Sequence, residues 1–163
     1  MNNLFFEDKE QLYGVKLDAM VYEQMLNYCA ISNPYETGGI LIGSYSSNQV
    51  IANILQITPP TKNSKHSKST FYRGAVGLKK ILDLAWVQGQ YYLGEWHYHP
   101  NALSLPSDTD KKQMIMLSQD QKLKCPEPIL IIIGGCQVDW TISARLFVNK
   151  QEVILDFREE KGA

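Results

Sequence analysis

The run Ile129-Leu130-Ile131-Ile132-Ile133 constrains this chain more than any other segment. It is β-branched at all but one position and is bounded by Pro128 and Gly134. Such a run reads as a strand buried inside a sheet, not as a helix or a strand with one wet face. It is the longest apolar run in the sequence and falls far short of the roughly 20 residues a bilayer-crossing helix needs. The chain must therefore build other elements around this strand. Its 163 residues, 44% of them apolar, are enough to bury a core without disulfide or metal staples.

The surrounding sequence supplies those elements. Asp18 can cap a helix whose Val21, Met25, Tyr28 and Cys29 share one face, and Asn33-Pro34 ends it. Gly39–Tyr45 and Val50–Ile57 read as strands joined by a turn at Ser46-Ser47-Asn48. Thr58–Ser69 is polar, carries Pro59-Pro60 and three lysines, and reads as a mobile loop. Leu78, Ile81, Leu82 and Ala85 predict a helix from about Gly74 to Gln88. Tyr91–Tyr98 is an aromatic strand ended by Pro100; 101–106 is a loop, and a helix begins at about Ser107. Trp140–Val148 and Glu152–Phe157 form a final hairpin around Asn149-Lys150. The sum is an α/β fold over residues 1–163, one domain with a mixed central sheet flanked by helices.

Charge and cysteine usage narrow the function. A net charge of −1 and a pI near 6.3 give no global attraction to nucleic acid or to a membrane surface. Cys29, Cys125 and Cys136 are odd in number and form no C-x-x-C, which argues against a disulfide framework or a thiolate zinc site. A reducing cytoplasm is the simplest setting. The first ten residues carry Glu7, Asp8 and Glu10 and do not resemble a secretory leader.

Chemistry concentrates at His97-Tyr98-His99-Pro100, followed by Ser107 and Asp110. Residues two apart on a strand share a face, so His97 and His99 can aim both imidazoles at one point. Asp110, in the first turn of the following helix, is a better third ligand than His66, which lies in the polar loop. Two His and one carboxylate leave a fourth position open, as a catalytic zinc requires. Blander readings account for the parts: an H-x-H pair can be two partly exposed histidines, and Ser107-x-x-Asp110 has the spacing of a capping box. Glu36 precedes Gly38-Gly39 and a strand; on its own it is a turn residue beside a close backbone approach or a φ > 0 turn.

Taken together, Glu36, His97-x-His99-Pro100, Ser107 and Asp110 match in type and interval the signature of the JAMM (MPN+) metallopeptidases, and the chain resembles that family. The resemblance implies a fold akin to the cytidine-deaminase sheet, one Zn2+, and hydrolysis of amide bonds, often isopeptide bonds at a ubiquitin-like C-terminus. It implies that His97, His99 and Asp110 bind the metal, that Glu36 is the base that activates water, and that Ser107 stabilises the oxyanion. The chain departs at Tyr98, where the family usually has Ser or Thr; Tyr98 should point away from the ligands and alter only the packing behind them. The short chain and Tyr92-Leu93-Gly94-Glu95-Trp96-His97 look like the small JAMM deconjugases of bacterial antiphage CBASS operons. Their implied partner is a protein with an extended C-terminal tail, either a conjugated cGAS-like nucleotidyltransferase (CD-NTase) or a ubiquitin-like protein. Related small members process sulfur carriers, and non-catalytic members serve as scaffolds. A two-His-one-carboxylate iron oxygenase usually spaces its ligands as H-x-D with a distant His, and a zinc deaminase needs H-x-E with P-C-x-x-C; neither pattern is present.

Overall fold

The apolar run at 129–133 forms the first part of a strand with both faces covered. A computed structural model describes residues 1–159; residues 160–163, the end of the expected domain, lie outside the described residues. The elements are β1 (Leu4–Glu7), β2 (Gly14–Leu17), α1 (Ala19–Ser32), β3 (Thr37–Tyr45), β4 (Ile51–Ile57), β5 (Lys65–His66), β6 (Phe71–Tyr72), α2 (Leu78–Val87), β7 (Tyr91–Pro100), α3 (Asp108–Gln119), β8 (Ile129–Cys136), β9 (Asp139–Val148) and β10 (Gln151–Arg158). β8 runs parallel to β7 and antiparallel to β9. Its Ile129, Ile131 and Ile133 join Val21, Met25 and Cys29 of α1 in the main core. Its Leu130 and Ile132 pack with Met114 of α3 on the opposite face.

The expected mixed sheet flanked by helices is present, but it closes on itself. The strand order is β1-β10-β9-β8-β7-β3-β4-β2, and β2 pairs back to β1. Closure depends on β1 and β2, which precede the first element expected from the sequence. Each has only four residues, too few for alternation to stand out, and their partners β10 and β4 lie far along the chain. Two further expectations are corrected. Thr58–Ser69 is not loop throughout: its Lys65–His66 forms β5 of the β5–β6 ribbon, with Lys65 opposite Tyr72 and His66 opposite Phe71. The second helix begins at Leu78, not near Gly74. Gly74 and Val76 donate their N–H groups to Ser64 and Asn63, and Gly77 adopts a left-handed φ of 85°. Asp18 caps α1 as expected, accepting from Met20 and Val21, which is worth about 1 kcal/mol.

One irregularity decides which residues of β7 reach which side. Leu41 pairs with Gly94 and Ile42 with Tyr92, so Leu93 is an extra residue, a β-bulge. Leu93, Trp96 and Tyr98 face the α1 core, whereas Tyr92 packs on the α2 side. With strict alternation from Leu93, His97 and His99 would enter the apolar core. The bulge turns them to the other face. Gly94 permits it, because a Cβ there would lie 1.9 Å from the Ile129 carbonyl oxygen. Among the described residues no helix is long and apolar enough to cross a membrane.

Gly94→Ala must push β7 from β8 or remove the bulge. We expect a loss of about 3 kcal/mol in denaturant unfolding, the upper end of overpacking costs. A variant as stable as the parent would show that the bulge does not need a bare α-carbon.

Candidate metal centre and its cleft

The first turn of α3 is held by a reciprocal cap. Ser107 Oγ accepts from the Asp110 N–H at 3.1 Å, and Asp110 Oδ2 accepts from the Ser107 N–H at 2.8 Å. The capping-box reading is thus correct, and it does not compete with the metal reading. Capping fixes the Asp110 carboxylate, leaving Oδ1 3.1 Å from His97 Nδ1 and Oδ2 3.3 Å from His99 Nε2. The ligand atoms of His97, His99 and Asp110 all lie within 4.8 Å of one another. Their side chains are 5%, 12% and 13% exposed. Tetrahedral zinc ligands at ordinary bond lengths sit about 3.3 Å apart. The donor types, the spacing and the partial access therefore fit such an ion, and no cysteine is needed.

The electrostatics suit a cation. Burial would raise the Asp110 carboxyl, but hydrogen bonds with His97 and His99 outweigh it and hold the group well below the usual carboxylate range. Burial would lower the His99 imidazole; its hydrogen bond to Asp110 and the Asp110 and Glu36 charges reverse this and raise it. The backbone at Leu105 lies close enough to the His99 ring to raise it further. This is the kind of outer contact that orients a ligating imidazole.

Glu36 comes from the segment between α1 and β3 and is half-buried. It lines the same cleft as His99, Ser107 and Asp110. Burial raises its carboxyl, with Asp110 adding to this and His99 and His97 opposing. Ser107 keeps its hydroxyl hydrogen free of the cap, since its oxygen is the acceptor there. The far rim carries Leu103 and Leu105, 68% and 54% exposed. The near rim is Lys68 to Phe71 of the ribbon. Thr58–Ser69 thus reaches the cleft only at its C-terminal end.

Tyr98 points away from the ligands, as expected. Its hydroxyl donates to the Gly135 carbonyl and accepts from Asn33, and its ring meets Trp140 edge-on. His66 is not part of the ligand cluster. The Gly pair is explained by close approach: a Cβ on Gly38 would meet Phe71 at 2.9 Å and His97 at 3.0 Å, and one on Gly39 would meet the Thr58 carbonyl at 2.1 Å. Sequence reasoning missed Phe71, which stacks edge-on against His97 at 5.7 Å. It also missed the buried Arg73–Glu95 pair, bidentate at 2.7 and 2.8 Å and joined by the Tyr92 hydroxyl. A lone glutamate inside a strand of aromatic residues was the available signal for the latter. Cys29, Cys125 and Cys136 are free; burial pushes the Cys125 thiol up to about 12 and raises Cys29 as well, so neither is a ready nucleophile.

A family model described as prokaryotic homologs of the JAB domain matches residues 18–146. A CD-NTase/cGAS isopeptidase of Enterobacter hormaechei subsp. hoffmannii is 37% identical over 135 residues, covering 83% of this chain and 75% of that protein. A CD-NTase/cGAS isopeptidase of Escherichia coli is 30% identical over 143 residues, covering 86% and 87%. A probable metalloprotease of Sinorhizobium fredii is 28% identical over 147 residues, covering 88% and 89%. A solution structure of a Desulfitobacterium hafniense protein superposes with a TM-score of 0.63 at 20% identity, covering 89% of this chain and 90% of that one, a likeness of fold.

The charge cluster predicts a stability profile for the metal-free protein. Asp110, depressed on folding, contributes stability present above its ordinary value of about 3.9 and lost as pH falls through the folded value. His99, raised on folding, contributes stability present below about 6.5 and lost as pH rises through its folded value. The stability difference between wild type and Asp110→Asn should therefore be largest between about pH 4 and 6.5. Denaturant midpoints from pH 3 to 8 measure it; a difference independent of pH would refute the assigned coupling.

Proposed function

The chain belongs to the family of prokaryotic homologues of the JAB domain, and from that premise we propose that it is a zinc-dependent isopeptidase acting on an amide bond at an extended protein C-terminus. One observation carries the reading: Glu36, from a remote segment, lines the same cleft as the His97–His99–Asp110 cluster. His97, His99 and Asp110 would hold the ion, which when bound supplies Lewis-acid chemistry to a carbonyl and acidity to water.

The rest of the chemistry belongs to the protein. Glu36, its carboxyl raised by burial, takes a proton from the attacking water and returns it to the departing amine. Ser107 donates its hydroxyl hydrogen to the oxygen on which charge develops. Leu103 and Leu105 on one rim and the ribbon on the other leave an open trough between them. Such a trough suits an extended tail docked by backbone pairing along a strand edge. We assign the tail to a conjugated cGAS-like nucleotidyltransferase on the strength of the isopeptidase relatives, and place the reaction in the reducing cytoplasm, where three free cysteines are stable. Ubiquitin-like and sulfur-carrier precursors are the competing substrates.

The test uses purified protein and a panel of carriers, a nucleotidyltransferase tail, a ubiquitin-like protein and a sulfur carrier, each joined to a reporter through its C-terminus. Wild type should carry one zinc per chain and cut the nucleotidyltransferase fusion best. Glu36→Gln should keep the zinc and lose about 10²–10⁴ in rate. Ser107→Ala should lose about 10²–10³. Cutting that survives complete chelation would reject the metal mechanism, and preferential cutting of another carrier would reassign the substrate.

A further inference from the structure

We infer that His66, which lies outside the His97–His99–Asp110 cluster, is a positioning residue that fixes the backbone of Glu36. The inference rests on the proposed role of Glu36 as the base. Glu36 lies in neither α1 nor β3, so no ladder or helix holds its peptide groups. The ribbon holds them instead. The Glu36 N–H donates to the Ser67 carbonyl at 2.8 Å. The Glu36 carbonyl accepts from His66 Nδ1 at 2.7 Å. A carbonyl can only accept, so this ring nitrogen carries a hydrogen. The neutral and the protonated imidazole both keep that donor, and the clamp does not depend on the charge of His66.

The ring is itself held in place. His66 and Phe71 are opposed across the ribbon, with ring centroids 5.1 Å apart. Phe71 in turn lies edge-on to His97, in the space a side chain on Gly38 would need. The ribbon's C-terminal end is tied to β7 through Arg73 and Glu95. A continuous path thus runs from the ligand His97 through Phe71 and His66 to the Glu36 backbone. It sets the base relative to the ligands across two segments that are 61 positions apart in sequence. A misplacement near 1 Å at a reacting group can cost about 10²-fold in rate, so such a clamp has a measurable effect.

Three substitutions separate the donor from the ring. His66→Asn offers an amide N–H at the place of Nδ1 and lacks the ring. His66→Phe keeps a ring against Phe71 and lacks the donor, and His66→Ala lacks both. Because His66 is exposed, all three should fold, and thermal melts check this. Amide exchange at Glu36 needs no substrate. It should quicken roughly three- to tenfold in the Phe and Ala variants, because losing the bond to the Glu36 carbonyl loosens the segment whose N–H pairs with Ser67, and stay near wild type in the Asn variant. On the cleaved carrier, kcat should fall about 10- to 100-fold in the Phe and Ala variants with KM and zinc content unchanged, and recover in the Asn variant. A Phe variant that matches wild type in exchange and kcat, or an Asn variant as impaired as Ala, would overturn the assignment. If wild type cuts no carrier, the proposed function fails, and the exchange results still decide the role of His66.

Discussion

The side of the sheet to which β7 turns its histidines governs everything else in this molecule. A strand offers two faces, and here they are chemically opposite. One is sealed by α1 over Leu93, Trp96 and Tyr98. The other opens on a cleft between the ribbon and α3. Two imidazoles facing α1 would be desolvated without partners, and a carboxylate on α3 could not reach them. The extra residue at Leu93-Gly94 shifts the alternation by one, so that Glu95, His97 and His99 share the face of Tyr92. The cost falls on Gly94, which must lie bare against the Ile129 carbonyl.

Once the imidazoles face the cleft, other elements converge on them with little freedom. The α3 cap holds Asp110 through two hydrogen bonds, so the carboxylate that accepts from the Ser107 N–H also meets both histidines. A structural motif and a proposed ligand position share the same carboxylate. On the other rim, Phe71 fills the space left by Gly38 and presses on His97. The buried Arg73–Glu95 pair anchors that rim to β7. Removing either partner would leave an uncompensated charge in the sheet, which in other buried pairs costs about 3–5 kcal/mol.

The cleft therefore joins parts of the chain that differ in how they are held. The proposed ligands sit on a central strand and a capped helix. Glu36 sits between elements and relies on the ribbon for its backbone hydrogen bonds. Such a division places the rigid ligands where geometry must not vary. The residue proposed as the base is secured by a smaller, exposed device, the β5–β6 ribbon.

Much of this was legible in the residues. Helices α1 and α3 announced themselves through Asp18 and Ser107, because capping is a local event between residues two or three apart. The buried strand at 129–133 followed from its branching, and the motif of Glu36, His97, His99, Ser107 and Asp110 followed from residue type and interval, both properties of the chain itself. The closure of the sheet by β1 and β2, the bulge at Leu93, the stacking of Phe71 on His97 and the clamp of His66 on Glu36 were not. Each is a meeting of segments distant in sequence, and neither partner carries a local signal that names the other. The sequence by itself thus determined which groups could do the chemistry. Only the tertiary structure decided their side of the sheet and their mutual placement, since a one-residue change of alternation reverses a strand's faces without altering any residue.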